Sequence, residues 1–77
     1  MDLRQVFAAN LRRLRHTKRF SQEDLAYAAD VNRSYMSKLE KGASYPGLEI
    51  IGKLATVLEV EPAELLKLPK KKKPRGR

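Results

Sequence analysis

Apolar residues recur at steps of three and four along most of this 77-residue chain, and that spacing is the strongest constraint on its fold. Leu3, Phe7, Leu11 and Leu14 follow at steps of four, four and three, which puts them on one face of a helix. No segment alternates apolar and polar residues for more than a few positions, and the β-branched residues are scattered, so strands are not expected. Asp2 is placed to cap the first helix. A second opens at Ser21, whose hydroxyl caps it while Asp24 answers three residues on; Leu25, Ala26 and Ala29 are its inward positions. A third starts after Asn32, turns Met36 and Leu39 inward and stops at Gly42. Beyond the loop Tyr45-Pro46-Gly47, Leu48, Ile51, Leu54, Ala55 and Leu58 mark a fourth. Pro62 opens a fifth, with Leu65 and Leu66, which must finish before Pro69. The expected fold class is all-α: five helices over 1–68, then a basic tail over 69–77 with nothing to bury, disordered in isolation.

Composition narrows the function. The chain has no cysteine, so neither disulfides nor thiolate metal sites hold it together. Its apolar runs are far too short for a membrane span or the core of a secretory signal, so no membrane partner is expected. The aliphatic core is thin, and a lone domain of this size is marginally stable; dimerisation would help. The net charge of +8 is unevenly spread. Residues 1–41 hold nine Lys/Arg against five Asp/Glu, residues 42–66 one against four, and residues 67–77 seven with no acid. A basic front, a mildly acidic rear and a very basic tail are the footprint of a polyanion binder. A solvated surface with a solubilising tail has the same charge, and charge alone does not choose between them.

The stretch from Gln22 to Leu39 is more specific. Two helices joined by a tight turn need a small residue at their crossing, and Ala26 supplies it. Asp30 tolerates the left-handed conformation of the reversal, and Val31 can tuck beneath it. Arg33, Ser34, Ser37, Lys38 and Lys41 then face outward, and none is acidic. Arg bridges guanine O6 and N7, Ser is a small donor or acceptor, and Lys pairs with phosphate or guanine. A polar-faced helical hairpin is the commoner state of a generic helix pair. Here small residue, turn, buried residue, cap and cationic face all agree.

Ser-Gln-Glu-Asp-Leu-Ala (21–26) and Val-Asn-Arg-Ser-Tyr-Met-Ser-Lys-Leu-Glu-Lys-Gly (31–42) resemble the helix-turn-helix of the phage repressor and Cro family. That family includes lambdoid repressors, controller proteins of restriction–modification systems and many small bacterial regulators. The resemblance runs from Leu11-Arg12-Arg13-Leu14-Arg15 through Leu48–Leu58 to Leu65, covering about 3–68. It implies a five-helix, lambda-repressor-like DNA-binding domain, its motif at about 21–41 and its recognition helix at about 33–41 in the major groove. By the same resemblance Gln22 clamps a phosphate, and Arg33, Ser34, Ser37 and Lys38 face bases. Tyr35 lies against the backbone or a deformable step, Lys41, Ser44 and Tyr45 grip neighbouring phosphates, and Asn32 completes the DNA-binding set. Arg15 and Glu40 match a family ion pair of structural character. Two positions depart from the pattern: Arg19 stands where Gly or Asn is usual, and Asp30 replaces the usual Gly.

Other chemistries find no support. His16 is the only histidine, and without cysteines or convergent carboxylates it is a solvated helix-end residue, not a metal ligand. The serines lack another base, and no glycine loop suits a phosphate. The chain is expected to be no enzyme and to need no cofactor, metal or small-molecule ligand. The tail has three readings: contact with DNA phosphates, solubilisation, or a nuclear-localisation-like run. The expectation is a bacterial transcriptional regulator, cytoplasmic and nucleoid-associated. It binds a pseudo-palindromic double-stranded operator as a homodimer joined through about Leu48–Leu66, its half-sites roughly 34 Å apart. Two rival readings are an antitoxin-type interaction module with secondary DNA binding, and a non-specific architectural binder driven by the tail.

Overall fold

The computed structural model describes residues 1–69. Among these the chain forms five helices and no strand: α1 (Leu3–Thr17), α2 (Gln22–Ala28), α3 (Arg33–Lys41), α4 (Leu48–Leu58) and α5 (Pro62–Leu66). The tail expected over 69–77 lies, past Pro69, outside the described residues.

Side-chain caps start the first three helices as their sequences predict. The Asp2 carboxylate accepts from the Arg4 amide at 3.0 Å, Ser21 Oγ from the Asp24 amide at 2.9 Å, and Asn32 Oδ1 from the Ser34 amide at 2.8 Å. Each satisfies an N–H that the helix itself leaves unpaired. α4 starts on Gly47 without a side-chain cap, and α5 on Pro62.

One device ends four of the helices. A residue turns left-handed, and the amide after it reaches back five residues. Phe20 donates to the Arg15 carbonyl, Val31 to Ala26, Ala43 to Lys38 and Val60 to Ala55, at 2.8–3.0 Å. The left-handed residues are Arg19 (φ 65°), Asp30 (φ 56°), Gly42 (φ 75°) and Glu59 (φ 59°). Gly42 takes its left-handed φ without strain, and a Cβ there would have to displace the end of the Gln5 side chain. At the other three a side chain tolerates the strain, and the apolar residue that follows is pinned against the core.

α1 lies between α3 and α5; α2 packs on α3, and α4 on α5 and the back of α2. Phe7 and Leu11 of α1 meet Leu25, Met36, Leu39, Leu54, Leu58 and Leu65, all fully buried. Three leucines expected on apolar faces stand apart: Leu3, Leu48 and Leu66 remain 47%, 86% and 38% exposed. Leu3 and Leu48 are the first residues of α1 and α4. The short α5 has one inward position, filled by Leu65. Asn10 ties α1 to the end of α5: its buried Nδ2 donates to the carbonyls of Leu65 and Lys67, both at 2.9 Å. Leu65 stands in the last turn of α5 and Lys67 just after it, where carbonyls have no partner within the helix. Among the described residues no buried side-chain polar atom is unpaired, and no helix is long and apolar enough to cross a membrane.

Candidate nucleic-acid interface

α2, its turn and α3 form a tight helical corner. Ala26 is 3% exposed at the crossing, and Val31 tucks under Asp30 as the spacing predicts. At 100° per residue, Arg33, Ser34, Ser37, Lys38 and Lys41 fall within one face of about 140° on α3, opposite Met36 and Leu39. Arg33, Ser34, Lys38 and Lys41 are exposed and Ser37 is half-buried. Gln22, the first residue of α2, joins Arg33, Ser34 and Ser37 around one shallow depression.

Behind this face sits a buried charge. The Glu40 carboxylate, 5% exposed, accepts from Arg15 Nε at 2.6 Å, Arg15 Nη2 at 3.1 Å and Gln22 Nε2 at 3.2 Å. Arg15 also donates to the Phe20 carbonyl at 3.0 Å, and Arg12 donates to the backbone carbonyl of Glu40. α3 is therefore fastened to α1 from the side away from solvent. The Arg15–Glu40 pair is the one the resemblance implies. The third partner, Gln22, has no sequence signal: it lies 18 residues from Glu40 and no local pattern couples them. Gln22 gives one amide hydrogen to Glu40 and keeps the other for the depression.

The cap occupies Asn32, whose Oδ1 serves the Ser34 and Tyr35 amides. Tyr35, in the first turn of α3, is half-buried, and its hydroxyl donates to the Tyr45 carbonyl at 3.1 Å. That bond straps the loop carrying half-buried Ser44 and exposed Tyr45 to α3. The Tyr45 ring is covered on one side by the Arg4 guanidinium, 4.9 Å from its centroid. Arg4 is in turn held by both Asp2 carboxylate oxygens at 3.3 Å. The Arg4 side-chain and amide hydrogen bonds hold the Asp2 carboxyl below the usual carboxylate range, and Asp2 pushes the guanidinium up. Two neighbours join the site that sequence reasoning misses. Arg4 extends its loop end, and Glu23 places a carboxylate 3.9 Å from Arg33 at the other end. Glu23 precedes Asp24 in a stretch that reads as an ordinary cap, so nothing in the sequence sets it apart.

The expected residues thus fall into two groups on one side of the domain. Gln22, Asn32, Arg33, Ser34 and Ser37 gather where α2 and α3 begin. Tyr35, in the first turn of α3, is tied through its hydroxyl to the loop of Ser44 and Tyr45, and Lys38 and Lys41 lie further along α3. The family model described as a helix-turn-helix domain matches residues 6–68. The chain belongs to that helix-turn-helix family. Among its relatives, the control protein C.BamHI of Bacillus amyloliquefaciens is 36% identical over 66 residues, spanning 84% of this chain and 82% of that protein. The crystal structure of the restriction–modification controller protein C.AhdI from Aeromonas hydrophila superposes with a TM-score of 0.78. It is 44% identical, over 80% of this chain and 94% of that one. The hypothetical transcription factor NHTF from Neisseria superposes with a TM-score of 0.85 at 40% identity, over 88% of this chain and 76% of its own. This helix-turn-helix protein therefore shares an all-helical fold with transcriptional regulators.

Proposed function

We propose that this chain is a sequence-specific transcriptional regulator that binds a pseudo-palindromic operator as a homodimer. The observation that carries the reading is the outward face of α3: five polar or cationic side chains, no acid, and a rigid fastening behind them at Glu40. With α3 in the major groove, Arg33 reads guanine, Ser34, Ser37 and Lys38 contact neighbouring base edges, and Tyr35 lies at the edge of the groove. Gln22, Asn32, Lys41, Ser44 and Tyr45 hold phosphates on either side and set the register. Residues 1–68 form the DNA-binding unit, and 69–77 add cations that attract duplex DNA without reading it.

A two-fold pairing through α4 and α5 supports the dimer, because Leu48, Leu66 and Leu68 leave apolar surface exposed there. Control of a restriction–modification system is the role most in keeping with the names of two relatives. Such a regulator works in the bacterial cytoplasm, on the nucleoid.

Selection of binding sites from random duplex DNA tests the proposal. The expected outcome is a two-fold symmetric motif, with Arg33→Ala weakening cognate binding by about 1–3 kcal/mol and random-DNA binding far less. An equal loss on both DNAs removes Arg33 as a base reader. Failure to enrich any motif refutes the regulator and leaves a non-specific binder.

A further inference from the structure

The loop from Gly42 to Gly47 carries Ser44 and Tyr45 but has little backbone bonding of its own. Among the described residues the amides of Ser44, Tyr45 and Gly47 donate to no other backbone group, and Pro46 has no amide hydrogen to give. A stretch without a ladder must be held by side chains or be ordered anew at each binding event, at a cost in affinity. Side chains from α1 and α3 hold it here. At Gly42 the end of the Gln5 side chain fills the space where a Cβ would stand. At Tyr45 the Arg4 guanidinium covers one face of the ring, 4.9 Å from its centroid, while the Tyr35 hydroxyl donates to the backbone carbonyl at 3.1 Å.

The pose of Arg4 suits a clamp on the loop and not a contact with DNA. Its Nε and Nη2 donate to the two Asp2 carboxylate oxygens, both at 3.3 Å, so its charge is matched while its guanidinium stands over the ring. A phosphate approaching that guanidinium would meet the Asp2 carboxylate as well. Helix capping does not account for the pose. Asp2 caps α1 through the Arg4 backbone amide, at 3.0 Å, whatever the Arg4 side chain does. Core packing does not account for it either, because the Tyr45 side chain lies outside the core.

We propose that Arg4, held by Asp2, is a positioning residue for DNA binding: it fixes Tyr45, and with it the loop that presents Ser44 and Tyr45 to phosphates, without touching DNA itself. The proposal rests on the operator-binding reading, and the test separates the two. Full-length wild-type, R4Q, Y45L and R4Q/Y45L proteins are titrated, over a range of salt, against the operator recovered by selection. Backbone NMR relaxation compares free wild-type and R4Q protein. In the wild-type background R4Q is expected to weaken operator binding by about two- to fivefold, the worth of an exposed cation–π contact. In the Y45L background the same change should have little effect, because Arg4 acts through the ring. The slope of log K against log salt should stay unchanged. Order parameters at Ser44 and Tyr45 should fall in R4Q while those of α3 hold. Intact affinity in R4Q, even with a lowered melting temperature, or unchanged order at Ser44 and Tyr45, overturns the proposal and leaves Arg4 a residue of the fold alone. A loss just as large in the Y45L background, or a slope smaller by roughly 0.9 per protomer, overturns it in favour of a direct phosphate contact. Those outcomes leave the operator reading standing; only failure to recover any operator removes both.

Discussion

Removing the Glu40 carboxylate should cost this fold more than any substitution on its surface. In Glu40→Ala the Arg15 guanidinium, with its side chain 12% exposed, gives up hydrogen bonds of 2.6 and 3.1 Å and keeps only the Phe20 carbonyl. Gln22 lies at the surface and can turn its amide to water, so its bond adds little to the loss. What remains is a buried cation without its partner, a situation that costs about 3–5 kcal/mol. Arg15 keeps one acceptor and some water access, which places the expected value near the lower bound, about 3 kcal/mol. Urea unfolding followed by circular dichroism measures it. With a slope of about 1 kcal/mol per molar for so small a domain, the midpoint should fall by about 3 M at unchanged slope. Replacing both partners, Arg15→Met with Glu40→Leu, should recover most of that loss, since the penalty lies in the orphaned charge and not in the missing pair. A loss below about 1 kcal/mol for Glu40→Ala, or no recovery in the double variant, would refute this account.

Arg19 holds φ at 65° in a position that glycine occupies without strain, so Arg19→Gly should raise stability by about 0.5–1 kcal/mol, read as a higher urea midpoint. Asp2 should give acid sensitivity of a defined sign. Its folded pKa lies below the ordinary value of 3.8, so its contribution is present above that pH and fades as the pH falls through the folded value. Asp2→Asn should therefore lower the melting temperature at neutral pH, by a difference that shrinks as the pH falls below 3.8; a difference that does not change with pH would remove the ionised cap as the cause.

Most of the fold was legible because its instructions are local. Caps at Asp2, Ser21 and Asn32 and the stop at Gly42 lie within a turn of the groups they satisfy, and the helical spacing marks Phe7, Leu11, Met36 and Leu54 as core. The positive φ at Asp30 was legible for the same reason, as a demand of the turn itself. What stayed hidden depends on distant parts meeting. Gln22 reaches Glu40 only because α2 starts against the side of α3, and Arg4 covers Tyr45 only because α1 starts beside the loop. Leu48 and Leu66 were expected on apolar faces, yet Leu48 opens α4 in an exposed turn and the short α5 has one inward position, which Leu65 fills. On α3 the outward register was legible from periodicity, whereas roles at particular bases came from resemblance.

The division of labour within α3 bears on how such a protein changes its target. Among the described residues, Arg33, Ser34, Ser37 and Lys38 contribute no side-chain hydrogen bond to the fold, and the one ion pair among them, Arg33 to Glu23, is exposed at 3.9 Å. Everything that fixes the helix, namely Asn32, Met36, Leu39, Glu40 and Gly42, lies between or beyond them. On the proposed reading of α3, the address can be rewritten while the scaffold is left alone. A lineage carrying this domain can drift from one operator to another through substitutions that cost almost no stability, and two descendants in one cell can become deaf to each other's sites within a few mutations.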